Sequence, residues 1–190
     1  VEAFHHVLAL LAFVFALSLT GLLSRASALF VARERVTLSG LAILAAVNCI
    51  VLVYLNWLSL WEIRTLPNWD LLTITTIFVF SLGVYVTSTL ALPQVPALGP
   101  IDMAAFYRKE RVTYYSAWLF CQLMAIASNL LLSDVDNAAE LFNENILDAA
   151  TLPAILLALT SPRRWAQWAG GIAVLVVNLV FLLAFETRLV

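Results

Sequence analysis

Residues 33–64 read RERVTLSGLAILAAVNCIVLVYLNWLSLWEIR. Between Arg35 and Glu62 there is no acidic or basic side chain. A helix of about 20 such residues, rising about 1.5 Å each, is long enough for the hydrocarbon core of a bilayer. The flanks give the direction. Arginines collect on the cytoplasmic side of a membrane, and indole rings settle at headgroup depth. This stretch therefore leaves the cytoplasm after Arg35 and emerges near Trp57 and Trp61. The whole chain agrees with it: of 190 residues, 63% are hydrophobic and 12% charged, and the mean hydropathy is +0.97. A soluble domain lies nearer half apolar and a quarter charged. The composition excludes a disordered chain, a nucleic-acid binder and an ordinary cytosolic enzyme domain.

Five more stretches follow the same rule, so spans are predicted at about 4–24, 38–61, 71–92, 114–133, 142–161 and 165–185. Lipid offers open backbone groups no partner, so the expected form is helical. The reading is an all-α polytopic membrane helix bundle with six transmembrane helices, one integral membrane domain over residues 1–190. The fifth span is the least apolar, because residues 149–159 alone are too short and the helix must reach back through Asp148 and Glu144.

The cations fix the threading. Arg25, Arg33 and Arg35 follow the first span, Arg108, Lys109 and Arg111 the third, and Arg163 and Arg164 the fifth. The opposite side holds only Arg64 and Arg188. Both termini are thus expected outside the cytoplasm. Acidic residues mirror this, leaving the outer side formally near −7 and the inner near +5. Such polarity is read first as topogenic, with an acidic partner-binding face as the alternative. Trp57, Trp61 and Trp69 form an outer aromatic belt, and Tyr114, Tyr115, Trp118, Trp165 and Trp168 an inner one. The first apolar stretch lacks a basic leader and a small-residue cleavage site, so no cleavable signal peptide is expected.

Phe30-Val-Ala-Arg-Glu-Arg-Val-Thr37 returns as Phe106-Tyr-Arg-Lys-Glu-Arg-Val-Thr113. Each copy runs into an even-numbered span. The echo predicts three hairpins, the first two a parallel repeat and the third joined by Ser161-Pro-Arg-Arg-Trp165. Thr37 and Thr113 are expected to cap the helices that follow, and Asp102 to cap a short amphipathic stub. Arg33, Arg35, Arg108, Lys109, Arg111, Arg163 and Arg164 are expected at lipid phosphates, or as a docking surface for a partner.

Asn48, Gln122, Asn129 and Asn178 lie at membrane depth. Amides there usually bond between helices, at about 0.6 kcal/mol each on average. They mark the even-numbered spans as the inner wall, with Asn48 and Asn178 expected to meet near the midplane. Ala12, Ala16 and Thr20 give the first span a stripe for close packing. Glu140, Glu144 and Asp148 recur every four residues and line one helix face, which Thr151 continues toward an expected kink at Pro153. An acid at membrane depth is costly and points to function. These three acids form the candidate ion or partner site, against the plainer reading of Asp148 as a headgroup-level or capping residue.

No catalytic, cofactor or metal set is recognised. His5 and His6 are adjacent, so they point about 100° apart on a helix and do not suit a haem or a shared metal. Cys49 and Cys121 are expected to be small apolar core residues. Lys109 lies in a loop, which excludes a retinal Schiff base. P-loop, GxSxG, HExxH, voltage-sensor and TVGYG-like patterns are absent.

Asn56-Trp-Leu-Ser-Leu-Trp61 with Glu62-Ile-Arg64, and Ile101-Asp-Met-Ala-Ala-Phe-Tyr107, are similar to segments of uncharacterised multi-pass bacterial inner-membrane proteins. That resemblance covers most of the chain. It implies a bacterial inner membrane, in which the cation pattern puts both termini in the periplasm, and carries no activity. In length the chain also resembles prokaryotic potassium channels of the lysosomal TMEM-type family, but its first span lacks their Arg…Phe-Ser-Asp motif and takes the opposite direction. Two readings follow. One is a non-catalytic accessory or scaffold subunit packed against other membrane proteins and lipids. The other is a small cation channel or transporter with an outer acidic funnel on the fifth span.

Overall fold

The structure, a computed structural model, describes residues 2–61, 69–132 and 137–189. Among these, six helices carry the fold: α1 (Glu2–Val31), α2 (Gly40–Ser59), α3 (Leu71–Leu90), α4 (Met103–Leu132), α5 (Ala138–Thr160) and α6 (Arg164–Leu189). Each overlaps one of the six apolar stretches, but α1 runs on to Val31 and α4 begins at Met103, well before the expected 114. Four are long and apolar enough to cross a membrane: α1 over Val7–Val31, α2, α3, and α6 over Arg164–Ala184. In α5 the apolar part is shorter, Asn145–Thr160. The two helices outside that group, α4 and α5, are the ones carrying Gln122, Asn129, Asn145 and Asp148.

The helices close into a ring in which α1 packs on α3, α3 on α4, α4 on α5, α5 on α6, α6 on α2 and α2 on α1. Helix α2 also touches α3 and α4, so it leans into the ring while keeping Ile43, Val47 and Tyr54 exposed. Neighbours in sequence do pack together, but α1 is shared between α3 and α2, and the first two pairs interlock through it. Leu11 and Leu22 of α1, Val84 of α3, Trp118 of α4, Ile155 of α5 and Val174 of α6 are fully buried at the contacts. Phe13, Leu23, Leu72, Phe142 and Leu183 project from the outer surface. In water such a surface would drive association; in lipid it is ordinary solvation.

On the cytoplasmic side of the predicted threading, a 3-10 turn (Arg33–Arg35) leads into a two-residue strand β1 (Val36–Thr37). It pairs in parallel with β2 (Ile101–Asp102), Val36 opposite Ile101 and Thr37 opposite Asp102. Thus Val36 sits beside Ile101, whereas the sequence echo equates it with Val112. The first copy of the echo is turn and strand, and the second lies inside α4. The expected stub and fourth span are one continuous helix, about 45 Å long at about 1.5 Å per residue.

Capping follows from that shift. Thr113 is mid-helix, and Ser39 rather than Thr37 holds the N-cap position of α2, without a side-chain bond. Asp102 accepts from the backbone N–H groups of Ala104 (2.8 Å) and Ala105 (2.9 Å), as expected of a cap. Asp70 caps α3 by accepting from Thr73 N at 2.8 Å. The expected inner belt divides: Trp165 is exposed, while Tyr114, Tyr115 and Trp118 are buried. The reason is geometric, because the face of α4 bearing these rings looks into the bundle, where Tyr114 Oη donates to Ala45 O of α2 at 2.8 Å.

Candidate functional site

The seam between α4 and α5 gathers the strongest polar cluster. Gln122 Nε2 donates to Asp148 Oδ1 at 2.5 Å. One face further outward, Asn129 Nδ2 donates to Asp148 Oδ2 at 3.3 Å and to Asn145 Oδ1 at 3.1 Å. Thr151 Oγ1 bonds back to the Asp148 carbonyl at 2.7 Å. Helical spacing explains the convergence: Gln122 and Asn129 are two turns apart on α4, and Asn145 and Asp148 one turn apart on α5. Gln122 and Asn145 are buried, Asn129 and Asp148 partly so. At about 1.5 Å per residue, Asp148 stands about 18 Å from the Thr160 end of α5, and Gln122 about 16 Å beyond Arg111 on α4. On the predicted six-span threading, both depths are near the middle of a hydrocarbon layer about 30 Å thick.

Of the three acids expected on one face, Asp148 joins this cluster. The side chains of Glu140 and Glu144 lie outside the described residues. Asn145 is the member that sequence reasoning missed. Its signal was available, since it precedes Asp148 by three positions and so shares its face.

A second group of polar residues lies between α2 and α6. Asn48 Nδ2 donates to Gly171 O at 2.9 Å, not to Asn178. Gly171 is seven residues before Asn178, so the expected partner stands about 10 Å too far outward along α6. Among the described residues, Asn48 Oδ1 and Asn178 Nδ2 are buried without a hydrogen-bond partner. The glycines beside this contact are set by space. A Cβ on Gly170 would come within 2.6 Å of Ala154 O on α5, and one on Gly171 within 2.7 Å of Leu44 Cδ2 on α2.

The basic residues divide into staples and free surface. Arg111 Nη1 donates to the carbonyls of Ala158 (2.7 Å), Leu159 (3.1 Å) and Ser161 (2.7 Å) at the end of α5. Arg25 on α1 does the same for α3, donating to Thr89 O and to Leu92 O at 2.9 Å. A helix C-terminus presents unpaired carbonyls and partial negative charge, which a guanidinium satisfies together. Arg35 reaches Ala97 O (3.4 Å) and Gly99 O (3.2 Å) in the loop before β2. Arg33 lies over the Phe30 ring, 5.6 Å from its centroid, and Lys109 pairs with Glu110 at 3.7 Å. Arg108, Arg163 and Arg164 are exposed.

On the outer half of the predicted threading, α1 and α2 leave an apolar groove of about 410 Å³. Ala12, Phe15, Ala16, Ile50, Tyr54 and Trp57 line it, and the last two rings stack with centroids 6.2 Å apart. Ala12 and Ala16 come from the small-residue stripe read in the sequence. Cys49 and Cys121 are free thiols buried in the core, the latter 3.6 Å from Thr87 Oγ1.

Compared with protein-family models, curated proteins and solved structures, the chain matches none. Its class rests on the physics alone: an all-helical fold with several apolar helices of membrane-crossing length, which marks a membrane protein.

Proposed function

We propose that the chain crosses a bacterial inner membrane six times, with both termini periplasmic, and serves as a non-catalytic accessory or scaffold subunit. The observation that carries this reading is the groove between α1 and α2. It is apolar, floored by Ala12 and Ala16, and rimmed by stacked aromatic rings at the outer end of α2. Small residues let a neighbouring helix approach its partner's backbone, the main source of helix association in lipid. The occupant is therefore a transmembrane helix of a larger assembly. The charge pattern supports the threading, and the exposed Arg108, Arg163 and Arg164 supply contacts to lipid phosphates on the cytoplasmic side. Purification from the native membrane in mild detergent should recover a stoichiometric partner, lost when Ala12 and Ala16 are both changed to Leu. A clean monomer from the parent chain would count against the idea.

A second reading is favoured by the α4–α5 cluster: a small cation channel or transporter, with Glu140 and Glu144 outward of Asp148 on α5. Flux through proteoliposomes, compared with Asp148→Asn, tests it. No flux in the parent, or equal flux in both, removes it.

A further inference from the structure

We infer that Asp148 is a binding site for one monovalent cation, a proton or an alkali ion, held between α4 and α5 inside the bilayer. The inference rests on α5 lying at membrane depth, and so deepens the reading of this seam without requiring that anything be transported. An ionised carboxylate near the midplane needs a compensating charge, because its attraction to water has been given up. The protein supplies amides instead. Gln122 and Asn129 donate to the two carboxylate oxygens, and the described residues hold no ion pair to Asp148. Amides orient the group but leave its charge in place.

Among the described residues, no side chain on the helices packed against α5 balances it. Helix α6, which packs on α5, has no titratable residue between Arg164 and Glu186. Along α4 between Arg111 and Asp134 the titratable groups are Tyr114, Tyr115 and Cys121. Tyr114 is bonded to Ala45 of α2, Tyr115 Oη lies by Gly171 of α6, and Cys121 is turned to Thr87 of α3. Arg111 is committed to the far end of α5. On α5 itself, Glu140 and Glu144 stand two turns and one turn outward by spacing, and add negative charge.

Charge selects the ligand. One added positive charge neutralises the Asp148 carboxylate itself, whereas a divalent ion would overshoot it by one. An amide can turn over to present its oxygen rather than its NH₂ group, so Gln122, Asn129 and Asn145 can serve either occupied state. With a proton, one O–H bond forms on a carboxylate oxygen and donates to an amide oxygen. With an alkali ion, the carboxylate and amide oxygens become ligands.

The test is infrared difference spectroscopy of the full chain in lipid nanodiscs, in N-methylglucamine buffer, adding acid, Na⁺, K⁺ or Mg²⁺ separately. The expected result is a carboxylate band that responds to acid alone, or to Na⁺ or K⁺, and identifies which. Eleven other acidic side chains respond to acid as well, so the response should lose one carboxylate's share in Asp148→Asn and keep that share in the Glu140→Gln, Glu144→Gln double variant. The Gln122→Ala, Asn129→Ala variant keeps the carboxylate and should change the apparent affinity about tenfold, the scale of one to two lost hydrogen bonds. This second variant keeps the test open should Asp148→Asn fail to fold. A spectrum unmoved by every monovalent cation, one that responds to Mg²⁺ alone, or a response undiminished in Asp148→Asn, overturns the inference. A parent chain that shows the band but no flux would sink the transport reading and leave this one standing.

Discussion

Arg111 on α4 holds the end of α5 through the Ala158 carbonyl, at 2.7 Å, with the Leu159 and Ser161 carbonyls in reach of the same nitrogen. Arg25 stands in the same relation to α3. Residues whose charge signals the direction of threading thus also bind helices together across the bundle.

Arg111→Gln should lower stability by about 2 kcal/mol, the scale of charge-assisted bonds at a helix terminus. Arg111→Lys should recover part of it, since a single ammonium replaces the planar fork. Arg25→Gln should cost a similar amount, and the two losses should add because they concern different helix pairs. Thermal unfolding in a fixed detergent measures all three. Wild-type stability in Arg111→Gln would show that the bonds are dispensable.

Gly170→Ala should force α6 away from α5, because the new Cβ would stand 2.6 Å from Ala154 O and 2.9 Å from Ala158 Cβ. A backbone oxygen cannot move aside as a side chain can, so a loss of about 1–3 kcal/mol is expected. Gly171→Ala meets the flexible Leu44 Cδ2 and should be milder. Gly21→Ala meets nothing within 4 Å and should be neutral or slightly stabilising. The ranking of the three, read from detergent melting curves, is the check.

Asp70 caps α3 outside the apolar span, and the Thr73 backbone N–H donating to it holds its carboxyl below the usual range. A lowered folded value means that this cap stabilises above the unfolded carboxyl's value near 3.9. The contribution disappears as pH falls through the still lower folded value. Asp70→Asn should therefore flatten the acid limb of the stability profile, while changing little at neutral pH. An unchanged acid limb would remove the cap from the account.

The threading itself is open to labelling. With Cys49 and Cys121 replaced by Ala, single cysteines at Ser161 and at the N-terminus should react with an impermeant thiol reagent from opposite sides. Reaction of both from one side would break the sixfold weave.

The helices were legible because each depends on its own residues. Hydropathy marked 38–61 and 71–92 closely, and Asp102 was readable as a cap from position alone. The echo of ERVT misled where it implied equal structure, because Ile101 took the pairing with Val36 and left the second copy to α4. Asp148 was readable as unusual, and Asn145 was within reach of the same spacing argument.

Local composition determined that the chain is helical and which helices are apolar, and it predicted the direction of threading. Only the tertiary structure decided who meets whom: Asn48 with Gly171 rather than Asn178, Arg111 with the end of α5, Asp148 with Gln122 and Asn129. The physical reason is that a hydrogen bond between helices depends on their relative rotation and axial offset. A shift of two turns, about 10 Å, exchanges one partner for another. Neither quantity is written in the residues of a single helix.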